Sequence, residues 1–169
     1  MTYGSSKGKL AGMRDRLRPG DIGAIVSLHG HEYGDGYRLN ESFEAHVARG
    51  LGDFALALAD NPEAGRAWLT EDDQGLTGCI AITRETDSHG RLRWFLVARR
   101  ARGLGLGHRL LDAALAYARE RFATVELETF GELTAAAHLY RLVGFELQDS
   151  RPFDEWGREI ELQHYLLRV

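Results

Sequence analysis

Arg102-Gly103-Leu104-Gly105-Leu106-Gly107 is the stretch on which the fold turns. Glycines at alternate positions let the chain bend sharply and bring its backbone close to a ligand. A strand-like run, Leu92-Arg93-Trp94-Phe95-Leu96-Val97, precedes it, and Gly107, Leu110, Leu111, Ala114, Leu115, Ala118 and Phe122 follow at helical spacing. A strand, a glycine turn and a helix N-terminus make an anion site. The first helical turn carries N–H groups without acceptors and a partial positive charge. The charge pattern agrees: from Arg91 to Arg109 there are six arginines and no acid, in a chain of net charge −4. The stretch reads as a seat for a phosphorylated ligand.

Spacing excludes two common phosphate motifs. A Walker loop requires GxxxxGK[ST], and the only lysines are Lys7 and Lys9, far from these glycines. The dinucleotide fingerprint requires GxGxxG, and Gly103-x-Gly105-x-Gly107 has a different last interval. What stands is Arg-x-x-Gly-x-Gly. Downstream lies a second distinctive segment, Ala136-Ala137-His138-Leu139-Tyr140-Arg141-Leu142-Val143-Gly144-Phe145, separated from the first by a strand-like Thr124 to Thr129.

At 169 residues the chain reads as a single domain able to bury a core. No apolar run approaches the roughly 20 residues needed to span a bilayer. Residues 1–12 lack the apolar stretch of a signal peptide and read as a flexible leader, with the domain proper over 13–169. The lone Cys79 cannot form an internal disulfide and reads as a buried strand thiol, which suits a cytoplasmic protein. Residues 13–18 are expected as a first strand, ended by Pro19-Gly20. Asp21 is expected to cap a helix to about Glu32, broken by Gly34-Asp35-Gly36. A second helix is expected from Asn40 or Glu41 to about Leu58, burying Phe43, Val47, Leu51, Phe54 and Leu58. A hairpin follows over 66–70 and 76–83. The fold class is α/β: an antiparallel meander, a βα unit and a final hairpin in one mixed sheet.

The two segments, in this order and at this separation, resemble the GNAT superfamily of N-acetyltransferases. Val97 to Leu111 looks like that family's acetyl-CoA-binding strand–loop–helix unit, and the Leu-Tyr and Gly-Phe of the second segment look like its downstream signature. The resemblance runs from about Arg14 onward. Residues 17–37 and the ending from Glu155 to Leu166 look like the acetyltransferase half of bacterial proteins that fuse a MarR-type repressor to such a domain. One position departs: many members carry an asparagine seven residues before the tyrosine, and this chain has Leu133.

The resemblance implies a mostly antiparallel sheet flanked by helices, and acetyl-CoA as co-substrate, with no metal. It implies that strands 92–97 and 124–129 diverge to admit acetyl-CoA. Amides around Leu96 and Val97 would then hold the pantetheine, and the N–H groups of Arg102, Gly103, Gly105, Gly107 and His108 the pyrophosphate. Arg99 or Arg100 would reach the outer ribose phosphate. Tyr140 is implied as the acid that protonates the departing thiolate. Glu128 is the candidate base, with Glu126 on the same strand face and the Glu32–His31 pair as rivals. Glu32, Tyr33, Trp156 and Arg158 are the candidate acceptor contacts, Arg158 beside aromatics suiting an amino-acid carboxylate.

The expected activity is acyl transfer to a primary amine, of a small molecule such as an amino acid, by direct attack in a ternary complex. The alternative is a non-catalytic acyl-CoA-binding sensor or regulatory module. Homodimerisation is common in the family and is the default expectation. The His29-Gly30-His31 pair has no partners at metal-ligand spacing. The net charge does not suit a nucleic-acid binder, and no membrane partner is expected.

Overall fold

The computed structural model describes residues 12–169; the expected leader lies outside them but for Gly12. Its elements run α1 (Asp21–Tyr37), α2 (Glu41–Asp60), β1 (Gly65–Asp72), β2 (Gly75–Arg84), β3 (His89–Val97), α3 (Leu106–Arg119), β4 (Thr124–Phe130), α4 (Thr134–Leu142), β5 (Glu146–Phe153) and β6 (Ile160–Arg168). The six strands form one sheet in the order β1-β2-β3-β4-β6-β5. All neighbours are antiparallel except β3 and β4, which run parallel. The mixed, mostly antiparallel α/β fold expected from sequence is the fold observed.

Helices cover both faces of the sheet, and β2 explains how. Its residues 77–83 are all buried, and alternate side chains leave opposite faces. Ile80 and Ile82 join Leu110, Leu111, Leu115, Val125, Leu127 and Tyr165 in a core beneath α3 and α4. Cys79 and Ala81 join Ile25, Phe43, Val47, Leu51, Phe54 and Phe130 in a second core beneath α1 and α2. Leu58, expected in that core, is half-buried at its margin.

The feature that positions the site is the parallel pair. β3 and β4 share only the rungs His89–Thr124, Gly90–Val125 and Arg91–Glu126. Beyond Arg91, β3 stays with β2 while β4 stays with β6 along its whole length. The cause is local. Trp94 takes a left-handed backbone (φ 50°), rare for a bulky residue, and the β2–β3 register shifts between Cys79 and Ala81. Such a bulge bends its strand and steepens the twist, here away from β4.

Two expectations near the N-terminus need correction. Residues 13–18 form no strand; Arg14 makes one isolated bridge to Leu69, with hydrogen bonds of 3.0 and 2.9 Å. Asp21 is not the cap of α1, because Gly20 (φ 96°) occupies that position. Instead the Asp21 carboxylate accepts two 2.6 Å bonds from the Arg14 guanidinium and one from Arg18 N–H. Helix α1 also continues through Gly34-Asp35-Gly36. Tyr33 and Tyr37 pack on Phe130 at 5.7 and 5.3 Å, which overrides the glycines' weak helical preference. The helix closes at Arg38, whose αL backbone (φ 58°) returns N–H groups to the Gly34 and Tyr33 carbonyls.

Burial pushes the Asp21 pKa up, but the bonds from Arg14 and Arg18 outweigh it and hold the carboxyl below its ordinary value. A depressed carboxylate stabilises the fold above its unfolded pKa and loses that contribution as pH falls through the folded value. Asp21→Asn should therefore cost about 3 kcal/mol at neutral pH by denaturant unfolding. The difference from wild type should shrink as pH falls below the ordinary carboxylate range, where the native carboxyl finally protonates.

Candidate active site

At the C-terminal end of β3 the chain enters the glycine turn. Gly103 and Gly105 adopt αL backbone (φ 77° and 73°), and Gly105 caps α3. The N–H groups of residues 103–108 take no backbone acceptor among the described residues, and no acid lies in the first turn. They form an array of donors at the positive end of a 14-residue helix.

The arginines around this array mostly hold protein rather than face open space. Glu32 on α1 accepts the Arg99 N–H at 2.9 Å and the Arg102 side chain at 2.9 Å, and Arg102 also donates to the Val97 carbonyl at 3.0 Å. Arg100 pairs with Asp72 at 2.9 Å and donates to the Gly75 and Leu76 carbonyls. Arg100 is thereby committed to the β1–β2 turn, whereas the Arg99 side chain is exposed, 3.9 Å from the Glu32 carboxylate. Glu32 braces the loop and lines neither cavity described below, nor does His31, whose Nδ1 bonds to the Ser27 carbonyl at 2.7 Å.

A cavity of about 510 Å³ lies at the C-terminal end of β3, enclosed by the glycine turn, the end of α1 and the start of α4. Its wall contains Leu96, Val97, Arg102, Gly103, Gly105, Gly107 and His108, the residues expected at the pantetheine and pyrophosphate, but neither Arg99 nor Arg100. Leu133 and Thr134 at the start of α4 lie opposite, and Leu133 leaves that helix without a side-chain cap. A Cβ at Gly107 would stand 3.5 Å from Leu139 and 3.6 Å from Phe95, so a larger side chain there fills the cavity.

A second cavity of about 180 Å³ adjoins it under α1 and α2. Tyr33, Phe95, Leu133 and Ala136 belong to both walls, so the two spaces meet at these residues. Tyr140, Glu128 and Trp156 line the second cavity. Trp156 meets Phe43 edge-on at 5.1 Å and Phe153 at 4.7 Å. Tyr140 is buried against Phe95, Phe145 and Tyr165, and its hydroxyl has no hydrogen-bond partner among the described residues. Burial, with Tyr33 and Tyr165 nearby, pushes its pKa far above that of a free phenol. Such a phenol keeps its proton and is available as a hydrogen-bond donor.

The remaining sequence candidates separate clearly. Glu126 is desolvated, which raises its pKa, but the ion pair with Arg91 and contacts to His89 (3.2 Å) and His164 (3.1 Å) hold it below the ordinary value. It is a structural carboxylate. Glu128, one rung further, is exposed at the cavity rim and unpaired among the described residues. Arg158 does not face the cavities: it donates to the Tyr37 carbonyl at 2.6 Å and to both Glu132 oxygens at 2.7 and 2.8 Å. It joins the β5–β6 loop to the end of α1.

Three residues of the second cavity are not read as part of it from sequence: His29 enters only as a metal pair with His31, Arg93 only as one of the six arginines, and His46 not at all. His29 Nδ1 donates to the Ile25 carbonyl at 2.8 Å, which leaves Nε2 as the lone-pair nitrogen, and burial lowers its pKa to about 4. The spacing Ile25, His29, Tyr33 on one helix face was the available signal.

The sequence model of the Acetyltransferase (GNAT) family matches residues 31–145. No curated protein matches significantly. Among solved structures, the chain is similar to spermidine N-acetyltransferase from Vibrio cholerae in complex with CoA and spermine (21% identity, 92% of this chain, 95% of that one, TM-score 0.66). It is also similar to a ribosomal-protein-alanine N-acetyltransferase from Brucella melitensis (19%, 93%, 99%, 0.71). A GNAT acetyltransferase from Staphylococcus aureus Mu50 matches at 14% identity over 93% and 99% of the chains, with TM-score 0.72.

Because Arg158 bonds to Tyr37 and Glu132 rather than facing either cavity, Arg158→Ala should act on stability first. A loss of about 1–2 kcal/mol in denaturant unfolding is expected.

Proposed function

The chain belongs to the acetyltransferase (GNAT) family, and from that premise we propose that it moves the acetyl group of acetyl-CoA to a primary amine of a small molecule. The observation that carries the reading is the meeting of two cavities at Tyr33, Phe95, Leu133 and Ala136. One has a helix N-terminus and free N–H groups suited to a pyrophosphate, and the other is a compact, aromatic-walled space. Contiguity supports direct attack in a ternary complex. A binding module without chemistry has no need of the second cavity.

On this reading residues 13–169 form the catalytic domain. The amides of residues 103–108 bind the pyrophosphate, and Leu96 and Val97 on the free edge of β3 bind the pantetheine arm as a neighbouring strand would. A β3 N–H directed into the gap stabilises the oxyanion that develops as the amine attacks. Glu128 takes the amine proton, directly or through water. The C–S bond then breaks, and the Tyr140 hydroxyl donates a hydrogen bond to the leaving sulfur. The second cavity, about 180 Å³, lies below the ~300–1,000 Å³ usual for drug-sized ligands, which favours a small acceptor.

Thiol release from acetyl-CoA across a panel of amines tests the proposal; amine-dependent release is expected, and its absence together with absence of acetyl-CoA binding would overturn it. Gly107→Val should weaken acetyl-CoA binding at least about tenfold by calorimetry, because it fills the wall by Phe95 and Leu139. Its melting temperature should stay near that of wild type. Tyr140→Phe should lower turnover about 10–150-fold, the worth of a hydrogen bond to a charged group, with acetyl-CoA affinity unchanged. Because the Tyr140 pKa is raised, this group should impose no alkaline loss of activity below about pH 10.

A further inference from the structure

Arg91 and Glu126 form the last rung of the parallel β3–β4 pair, and their side chains close an ion pair across it. Two residues further on the same strand faces stand Arg93 and Glu128, again a guanidinium opposite a carboxylate. Here the strands have parted. No ion pair or hydrogen bond joins Arg93 to Glu128 or to any other described residue, and both line the smaller cavity. The opened rung has lost its internal partner and faces the space assigned to the acceptor.

Arg93 is held in place without being neutralised. Its guanidinium lies over the Trp94 ring at 4.4 Å, on the α2 side of the sheet. A Cβ at Gly50 would come within 2.6 Å of its terminal nitrogen and 3.1 Å of Trp94. A glycine inside a helix costs about 1 kcal/mol relative to alanine, and here it gives room to this guanidinium. Burial and the like-charged Arg91 press the Arg93 pKa down, and the more distant Glu85, Glu128 and Asp53, none in contact with it, only partly offset them. Half-buried charges are ordinarily paired, so an unpaired one directed at a cavity calls for a ligand of opposite sign.

We infer that the acceptor is an amino acid, whose carboxylate is bound by Arg93 and whose amino group lies toward Glu128, replacing in the opened rung the ion pair that Arg91 and Glu126 make in the closed one. The inference rests on the proposed acetyl transfer and deepens it. It moves the carboxylate contact from Arg158, bound to Glu132 and Tyr37, to Arg93. A planar guanidinium suits a carboxylate through two parallel N–H bonds. The adjacent Trp94, Phe43 and Trp156 supply apolar walls for a side chain.

The test is kcat/KM for matched acceptors: the common amino acids, each beside its amide and its decarboxylated amine. Wild type should acetylate at least one amino acid and prefer it to both relatives. In Arg93→Met that preference should fall about 10–150-fold, the worth of a charge-assisted bond, with acetyl-CoA affinity retained by calorimetry. Arg93→Lys should recover part of it, and Gly50→Ala, which displaces the guanidinium while keeping its charge, should lower it several-fold. Equal use of acids and amides, an unmoved preference in Arg93→Met, or acetylation confined to amines without a carboxylate would each overturn the inference while leaving acetyl transfer standing. Failure of acetyl-CoA to bind at all would instead bring down the proposed function beneath it.

Discussion

The parting of β3 from β4 after the Arg91–Glu126 rung is the constraint on which the rest of the structure depends. Each strand is fixed by its other neighbour, β3 by β2 and β4 by β6 along its full length. The bulge at Trp94 makes the divergence permanent by building it into the backbone. Backbone groups inside a sheet ordinarily find partners in the next strand. Here the end of β3 runs without a partner on its β4 side and lines an apolar-walled cavity, with α3 presenting at one end N–H groups that take no backbone acceptor among the described residues. Such a gap favours an extended ligand with amide groups along its length and an anion at its end. The chemistry of the site follows from the failure of one rung to form.

Around that gap the charges divide into two kinds. Those that brace the fold are paired: Glu32 ties α1 to the loop before α3, Arg100 ties the same loop to the β1–β2 turn, and Arg158 ties the β5–β6 loop to α1 and Glu132. These contacts flank the glycine turn and the larger cavity, whose wall includes Tyr37 and Glu132. The glycine turn itself needs such bracing, because Gly103 and Gly105 gain their αL geometry at the expense of rigidity. Arg93 and Glu128 are of the other kind, at the cavity and unpaired among the described residues.

Most of the fold was legible because it rests on local rules. The alternation in β2, the helical spacing of α3 and the glycines between β3 and α3 are properties of short windows. The residues lining the larger cavity were legible for the same reason, since one continuous segment supplies most of them. What failed was non-local. Asp21 reads as a cap until Arg14 is seen to claim its carboxylate, and Gly34 and Gly36 read as a break until Phe130 is seen to hold Tyr33 and Tyr37. The acceptor side suffered most, because α1, α2, β3, β4 and the β5–β6 loop each contribute to it. Arg93 was read only as one cation of a phosphate cluster, and Arg158 as a free one. A linear string does not reveal which cations already have carboxylates.

The smaller cavity also has a gradient of polarity. Its deep groups are polar but uncharged: burial holds His29 neutral and keeps the Tyr33 and Tyr140 phenols protonated. Ionisable groups that carry charge, Arg93 and Glu128, stand where solvent still reaches. An ammonium moved toward the deep end would lose its hydration without gaining a counter-ion there, a cost that drives it to give up its proton first. On the proposed reading this is what acetyl transfer requires, since only the neutral amine can attack. Glu128 need not be an unusually strong base if the cavity itself makes the charged amine unstable. The His29 Nε2 lone pair, fixed by the bond from Nδ1 to the Ile25 carbonyl, then offers an acceptor to an amine N–H without competing for its proton.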